Sequence, residues 1–279
     1  MVVAYKTPQQ FLDKTESLLE KNELRNNLIL GICNQFINKR AVQENCVFIN
    51  SLNSHQIKAS SIKTADKAIV SGTSRQPAYL KELADYYLEN NIPLKGVFGE
   101  NFYAKKFSDY YDKDYVVEMT LILHQLISVN SLSIAPGHFK MAGKGDINTI
   151  TGWTLQFEKD ARATLLHSPE QILATVQERI ALGNIFKWVD KGKMVSIAAI
   201  NRKTKNSGIV GLVFTPKEYR GKGYATSLVQ KLSEYILEKG FSYCGLFTDK
   251  ANPASNHIYQ KIGYKPITEF TDTGFKVKI

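Results

Sequence analysis

The chain has 279 residues, of which 43% are apolar and 22% are charged, as is typical of a globular protein. No stretch approaches the roughly eighteen apolar residues of a membrane-spanning helix, and the first residues lack the apolar core of a signal peptide. We therefore expect a cytoplasmic protein without a membrane partner. The three scattered cysteines, Cys33, Cys46 and Cys244, lack metal-ligand spacing, so buried free thiols and no bound metal are expected.

The formal net charge of +10 is unevenly distributed along the chain. Residues 1–130 carry 15 Lys and Arg against 14 Asp and Glu, whereas residues 131–279 carry 21 against 12. A positive field of this kind favours a ligand that carries phosphates. Nucleic acid would benefit from the same field, but no basic stripe with interleaved aromatic residues is present. We therefore do not expect nucleic-acid binding.

The first half alternates strand and helix patterns. Periodicity predicts a helix over residues 8–37 with a break near Asn26 and Asn27, strands at 46–50, 55–60 and 68–71, a helix at 76–89, a strand at 94–98, a helix at 100–111 and a strand at 115–127.

The second half repeats that order. It predicts a strand at 138–142, helices at 146–161 and 169–182, a hairpin at 185–189 and 194–200, a strand at 209–215, a helix at 220–239, a strand at 243–247, a helix at 253–262, and closing strands at 264–267 and 274–279. Asp146 is a natural N-cap for the first of these helices. We predict an α/β (α+β) protein of two modules, each a mixed sheet flanked by helices, joined near residues 128–137.

The stretch from Ile209 to Ala225 is the most informative part of the chain. An apolar, β-branched run ends at Pro216, and helical spacing of apolar residues resumes after Gly221 and Gly223. The glycines therefore lie at a helix N-terminus, where unpaired backbone N–H groups and the helix dipole favour an anion that can approach closely. A plain strand-to-helix turn with solvated basic residues is the alternative.

The core of this turn has the pattern Arg-x-x-Gly-x-Ala, formed by Arg220, Gly223 and Ala225, and the sequence Val-Phe-Thr-Pro precedes it. Arg220 and Lys222 add two full positive charges to the turn, which suits a diphosphate. The whole string resembles the acyl-CoA-binding motif of the GNAT acetyltransferase family. The resemblance implies transfer of an acyl group, usually acetyl, from acetyl-CoA to an amine.

A second block, from Asp249 to Tyr264, strengthens this resemblance. It is similar to the family's later segment Asn-x-x-Ala/Ser-x-x-Leu-Tyr-x-x-x-Gly-Phe/Tyr, with Ser255 and Ile258 as variants. The two ordered motifs cover residues 185 to 270, and the element order extends the match back to about residue 131. We therefore divide the chain into a GNAT N-acetyltransferase domain at residues 131–279 and a degenerate GNAT-like module at residues 1–130.

The resemblance also assigns the site residues. It implies that the backbone of Val213 and Thr215 binds the pantetheine arm and thioester, and that the turn from Arg220 to Thr226 binds the diphosphate. The predicted cofactor-binding residues are Val213, Phe214, Thr215, Arg220, Gly221, Lys222, Gly223, Tyr224, Ala225, Thr226, Asn252 and Ser255. Acetyl-CoA is thus the expected cosubstrate.

Asn252, Ser255 and Tyr259 fall on one side of the last predicted helix, because they are spaced at i, i+3 and i+7. Asn252 has two interpretations, as a cofactor contact and as the N-cap before Pro253. By resemblance to the family, Tyr259 is the acid that protonates the leaving thiolate. Periodicity alone would make it a packed core residue.

The first module departs from the family at its turn. Residues 71–77 read Ser-Gly-Thr-Ser-Arg-Gln-Pro, with one glycine and no Arg-x-x-Gly-x-Gly/Ala pattern. We expect this half to shape the pocket for the acceptor, a small-molecule or peptide amine, rather than to bind acetyl-CoA. Two functions stay open: an active acetyl-CoA-dependent N-acetyltransferase, and a noncatalytic acyl-CoA-binding or partner-binding protein. The base, the acceptor and a homo-oligomeric state are left open as well.

Overall fold

The computed structural model describes residues 1–38, 45–162 and 167–276, leaving aside the side chains of residues 161, 162 and 254. The chain forms two compact units. The first comprises Met1–His124, Thr248–Pro253 and Pro266–Ile279, and the second comprises Gln125–Phe247 and Ala254–Lys265.

The first repeat of elements is found almost entirely in the first unit. Its members are β1 (Val2–Tyr5), α1 (Pro8–Glu20), α2 (Asn27–Ile37), β2 (Val47–Asn53), β3 (Gln56–Thr64), β4 (Lys67–Gly72), α3 (Pro77–Glu89), β5 (Gly96–Glu100), α4 (Asn101–Tyr111) and β6 (Val116–Leu126). The predicted break near Asn26 is confirmed, because α1 ends at Glu20 and α2 begins at Asn27.

The second repeat has the same order. Its members are β7 (His138–Met141), α5 (Ile147–Arg162), α6 (Pro169–Ala181), β8 (Ile185–Asp190), β9 (Lys193–Lys203), β10 (Ser207–Phe214), α7 (Tyr224–Glu238), β11 (Tyr243–Asp249), α8 (Pro253–Ile262) and β12 (Lys265–Gly274). Short 3-10 helices at Lys144–Asp146 and Lys217–Tyr219 precede α5 and α7. The predicted repetition of strands and helices is thus confirmed.

Both units contain a mixed sheet. In the first unit the strand order is β1-β2-β3-β4-β5-β12-β6, with β4 and β5 parallel. In the second unit the order is β11-β10-β9-β8-β7, with β10 and β11 parallel and the remaining neighbours antiparallel. In each unit, the parallel pair flanks a crossover helix, α3 or α7, as parallel neighbours require. The predicted fold class is confirmed.

Each sheet is covered on both faces. In the first unit, Ile69 packs with α1 and α2, while its neighbours Ala68 and Val70 pack with α3 and α4. In the second unit, Ile197 packs with α5 and α6, whereas the adjacent Ala198 packs with α7. This alternation follows from the two-residue period of a strand, and it explains why these strands are apolar on both faces.

The end of the chain differs from the predicted pair of closing strands. One strand, β12, covers Lys265–Gly274, and residues 277–279 of the predicted second strand lie outside the described residues. β12 pairs antiparallel with β5, from Phe270 opposite Glu100 to Gly274 opposite Gly96. Gly96 is required here, because a Cβ would lie 1.9 Å from the carbonyl oxygen of Thr273. The boundary near residue 131 stays a prediction.

The segment 128–137, predicted as a joining region, packs within the second unit. The N–H of Asn130 donates to the Ile262 carbonyl (2.8 Å), and the N–H of Ala135 donates to Ser227 Oγ (2.8 Å). Val129, Leu132 and Ala135 contact the core beneath α7 and α8. Composition suggested a linker, but three apolar side chains make this segment part of the packed unit.

The two predicted helix starts near residues 146 and 220 differ in outcome. Asp146 directly precedes α5, in the predicted N-cap position, but its carboxylate accepts from the Gly143 N–H and from Lys187 Nζ. The predicted helix from residue 220 begins at Tyr224. Cys33 and Cys244 are buried free thiols, as predicted, and Cys46 is half-buried. None of the described helices has the length and hydropathy needed to cross a membrane.

Candidate active site

Strand β10 extends beyond its pairing with β11 at its C-terminal end and pairs irregularly with β9 there. Its pairing with β11 runs from Ser207 opposite Tyr243 to Val210 opposite Leu246, while β10 continues to Phe214. On its other side, the register with β9 shifts between Gly211 and Phe214. The last four residues of β10 thus follow an irregular course at the end of the parallel pair.

A β-bulge at Leu212 causes this irregularity. Leu212 has a φ of +49°, in the left-handed region that a leucine rarely adopts. In a regular strand, residues 210, 212 and 214 would share a face. Here Val210 and Val213 pack against the α7 side, whereas Leu212 and Phe214 pack against the α5 side. The bulge therefore re-aims the strand and takes backbone groups out of the regular ladder.

The turn between β10 and α7 is long and open. Pro216 ends the strand, a 3-10 turn covers Lys217–Tyr219, and both Gly221 (φ +79°) and Gly223 (φ +78°) are left-handed. No atom lies within 4 Å of a Cβ built on Gly221, and the nearest atom to one on Gly223 is Ala135 Cβ, at 3.6 Å. Because residues 220–223 are exposed, a ligand can approach this backbone closely.

The N-terminus of α7 opens onto this turn. Gly223 is the N-cap, and its carbonyl accepts from the Ser227 N–H at 3.0 Å. The N–H groups of Tyr224, Ala225 and Thr226 therefore precede the first intrahelical bond, and together with the helix dipole they give this end of α7 a positive partial charge. The predicted cradle residues thus lie at a helix N-terminus, as expected.

The basic side chains of the turn are held by neighbours. Arg220 donates from Nε to the Thr215 carbonyl (2.8 Å) and from Nη2 to Asp160 Oδ2 on α5 (3.0 Å). Hydrogen bonds from Gln156 and Arg220 lower the pKa of Asp160. Lys222 Nζ lies 3.3 Å from the Glu218 carbonyl. The guanidinium is thus fixed beside the turn, with one carboxylate already bound to it.

Tyr259 is a core residue with an available hydroxyl. It is 9% exposed and packs edge-on against Tyr264, with ring centroids 6.0 Å apart. Among the described residues, no hydrogen-bond partner contacts its hydroxyl, in contrast to that of Tyr264, which pairs with Ser233 at 2.8 Å. Burial raises the pKa of Tyr259. Its hydroxyl therefore stays protonated at neutral pH.

One core cluster links three of the predicted residues. Tyr224 of α7 and Tyr259 of α8 belong to it, and Val213 of β10 packs against it. Ser255 lies one helical turn before Tyr259 and is half-buried. Asn252 lies in the segment Thr248–Pro253, which belongs to the first unit, and its N–H donates to the Asp249 carbonyl at 3.0 Å. The structure thus places Tyr259 and Ser255, but not Asn252, in the unit of the cradle.

Several contacts at this site were not foreseen from the sequence. Ser196 of β9 hydrogen-bonds the Phe214 carbonyl (3.1 Å) and Thr215 Oγ1 (2.8 Å), and so holds the end of β10. The Tyr224 hydroxyl donates to Asp190 (2.6 Å), which raises the pKa of Tyr224. Among the described residues, no group of three His, Cys, Asp or Glu side chains is arranged to hold a metal ion.

The sequence around this site is similar to that of known proteins. Residues 153–264 match the family model described as "Acetyltransferase (GNAT) family". An uncharacterised N-acetyltransferase of Bacillus subtilis (strain 168), YobR, is 31% identical over 84 residues, which cover 30% of this chain and 34% of that relative.

Solved structures agree over nearly the whole chain. A GNAT-family acetyltransferase from Colwellia psychrerythraea aligns over 99% of this chain and 100% of its own, with a TM-score of 0.61 and 12% identity. A GCN5-related N-acetyltransferase from Sphaerobacter thermophilus aligns over 98% of this chain and 94% of its own, with a TM-score of 0.65 and 12% identity. A tandem GNAT protein from the clavulanic acid biosynthesis pathway aligns over 98% of both chains, with a TM-score of 0.59 and 12% identity.

At 12% identity these structures establish the fold, and the family model adds the sequence of the second repeat. Residues 153–264 therefore resemble a GNAT acetyltransferase domain in sequence, and the fold of the chain agrees with that resemblance. The resemblance inferred from the two motifs is confirmed. An acetyltransferase of this family uses acetyl-CoA.

Proposed function

We propose that the second unit transfers an acetyl group from acetyl-CoA to a primary amine of a small-molecule or peptide acceptor. The main observation in support is the path of the backbone after β10. The strand contains a bulge at Leu212, and two left-handed glycines then precede the open N-terminus of α7. A diphosphate fits the N–H groups and space at the glycines, and the irregular strand end offers backbone groups for the pantetheine arm.

The transfer needs a thioester, an uncharged amine and a proton donor. When bound, acetyl-CoA supplies the thioester carbonyl: the amine nitrogen forms the new amide bond and releases one proton to water, the C–S bond breaks, and the sulfur leaves as thiolate and takes up a proton to give free CoA. We assign the donation of that proton to Tyr259, and a proton from water then restores the donor. Its hydroxyl is protonated at neutral pH and has no competing partner among the described residues.

We further propose that Arg220 to Thr226 bind the diphosphate, that Val213, Phe214 and Thr215 contact the pantetheine arm and thioester, and that Ser255 is a further cofactor contact. Support for the cradle comes from the exposed glycines and from Arg220, whose Nε bond to the Thr215 carbonyl holds the side chain at the turn.

The transfer is tested by thiol release from acetyl-CoA with a panel of small amines, polyamines and peptides with free amino groups. Release that depends on one acceptor class, with an acetylated product seen by mass spectrometry, is the expected result. Acetyl-CoA binding without turnover across the panel would instead support a noncatalytic acyl-CoA-binding protein. Calorimetry is expected to show one acetyl-CoA per chain.

The cradle is tested with the pair Gly223→Val and Gly192→Val. Both glycines are left-handed (φ +78° and +74°), and neither meets an atom closer than 3.6 Å from a built Cβ, so both variants carry similar backbone strain. Gly223→Val is expected to lower acetyl-CoA affinity by about a hundredfold, through lost N–H contacts that contribute about 1.5–3 kcal/mol each to a charged ligand. Gly192→Val serves as the strain control, and an equal loss of affinity in both variants would contradict this placement.

A further inference from the structure

The first unit contains a cavity of about 420 Å³ that the proposed acetyl transfer does not use. It lies between the α1–α2 connection, the beginning of β3, the end of β4 and the start of α4. Its charged and aromatic lining residues are Lys21, Arg25, Lys58, Arg75, Glu100 and Tyr103. The volume is in the range of pockets for small metabolites.

The cavity is strongly basic within a nearly neutral half of the chain. Four cationic side chains line it against one carboxylate, although residues 1–130 carry 15 basic and 14 acidic residues. The carboxylate of Glu100 is already engaged, by Arg25 Nη1 (3.3 Å) and Thr268 Oγ1 (2.9 Å). The charge balance of the lining thus favours an anionic ligand.

Three of the cations are available to such a ligand. Lys58 Nζ contacts only the neutral Gln56 side chain (2.8 Å), and Arg75 lies over the Phe102 ring at 5.6 Å. Neither they nor Lys21 form an ion pair with any of the described residues. Because guanidinium and ammonium groups bind phosphate and carboxylate oxygens through charge-assisted hydrogen bonds, these side chains are suited to a ligand with several anionic oxygens.

A buried tyrosine forms part of the wall. Tyr103 is 6% exposed, and its hydroxyl has no hydrogen-bond partner among the described residues. Gly72 makes room for its ring, since a Cβ there would lie 2.7 Å from Tyr103 Cε1 and 3.0 Å from the Lys58 carbonyl. Because Tyr103 lines the cavity and its hydroxyl has no protein partner among the described residues, that hydroxyl can donate to a ligand.

Another part of the wall is held by neutral hydrogen bonds. Ser71 Oγ donates to Asn26 Oδ1 (2.5 Å), and Asn26 Nδ2 donates to the Leu19 carbonyl (2.9 Å). These bonds tie the end of β4 to the α1–α2 connection. The cavity therefore exists before a ligand binds, which reduces the ordering cost of binding.

We propose that this cavity binds a small organic anion with at least two negatively charged groups, either phosphates or carboxylates. The ligand's charges would meet Lys21, Lys58 and Arg75, and the Tyr103 hydroxyl would donate to one of its oxygens. The site is distinct in sequence from the cradle of the second unit, and it does not depend on the proposed acetyl transfer.

Calorimetry on the full chain tests this site with two probes, fructose 1,6-bisphosphate and citrate, at matched ionic strength. One-to-one binding below about 1 mM by one of them is expected, and the probe that binds identifies phosphate or carboxylate as the preferred group. Binding is expected to weaken as salt is raised. Absence of binding by both probes at 10 mM would overturn the proposal.

Variants separate the cavity from a general attraction to a basic protein. Arg75→Gln combined with Lys58→Gln is expected to weaken probe binding tenfold or more, while Lys105→Gln combined with Lys113→Gln, with the same charge change on the first unit, changes it less than twofold. Tyr103→Phe keeps the ring and is expected to cost severalfold. Equal losses in the two double variants, or displacement of the probe by acetyl-CoA, would contradict a separate anion site.

Discussion

Two strand-to-helix turns occupy the same place in the repeated order of elements. The turn after β4 is short and reaches α3 within four residues, whereas the turn after β10 takes nine residues to reach α7. Gly72 ends β4 against the Tyr103 ring, but Gly221 is left-handed with no atom within 4 Å of a built Cβ. A glycine in the first turn serves packing, and one in the second leaves space at the backbone.

The helices that follow these two turns, α3 and α7, also differ in the backbone N–H groups at their first residues. α3 begins with Pro77, which has no N–H to offer an anion, while α7 begins with Tyr224, Ala225 and Thr226, which each have one. The start of α3 therefore offers one backbone donor fewer than that of α7, and the cations that line the cavity of the first unit, such as Arg75, are side chains. The same element order thus supports two kinds of anion contact, decided by a few residues in one turn.

The largest expected effect is that of Tyr259→Phe, which tests whether the second unit alone carries the chemistry. The change removes a proton donor and keeps the ring's packing, and general-acid catalysis typically contributes about a hundredfold or more. We expect kcat for acetyl transfer to fall about a hundredfold, with the acetyl-CoA dissociation constant nearly unchanged.

Tyr87→Phe is the matched control in the first unit. Its buried hydroxyl pairs with Ser61 at 2.9 Å, so its loss is expected to lower the free energy of unfolding by about 1 kcal/mol and to leave kcat unchanged. A fall of less than threefold for Tyr259→Phe, with chemistry rate-limiting, would return Tyr259 to a packing role.

Local patterns predicted the cradle, because its signals are short-range. Pro216, the two glycines and the apolar spacing after them determine where β10 stops and how α7 begins. The structure of residues 217–223 was not predicted correctly from these patterns. A 3-10 turn occupies part of the interval, and the predicted helix begins at Arg220, whereas α7 begins at Tyr224.

Contacts between distant segments were not predictable in this way. The bulge at Leu212 shifts the register of β10 against β9, although its sequence reads as an ordinary strand. Likewise, nothing local in Lys265–Gly274 indicates pairing with β5, and Arg220 finds Asp160 sixty residues earlier. Such pairings depend on the folded arrangement of the elements rather than on propensity.

A smaller effect is expected when alanine replaces Gly72, which makes room for packing, or Gly221, which leaves space at the backbone. Gly72→Ala places a methyl group against the Tyr103 ring and a backbone carbonyl, so urea unfolding is expected to show a loss of about 1–3 kcal/mol. Gly221→Ala meets no atom within 4 Å, and its cost is the left-handed backbone alone, about 1 kcal/mol. The larger loss at Gly221 would contradict the comparison of the two turns.

The smallest expected effect concerns the ion pair beside the cradle. Arg220 and Asp160 are 3.0 Å apart, and their side chains are 48% and 34% exposed, so the pair contributes at most about 1 kcal/mol to stability. Asp160→Asn releases the guanidinium and removes a negative charge that repels a diphosphate. Since charges several ångströms apart in water interact by less than about 1 kcal/mol, we expect acetyl-CoA affinity to rise twofold to fivefold, measured by calorimetry, and the gain to shrink in high salt. Asp109→Asn, which breaks the similarly exposed Lys106 pair in the first unit, is expected to change neither affinity nor salt dependence. A fall in affinity for Asp160→Asn would mean that the carboxylate positions Arg220 for the ligand rather than competing with it.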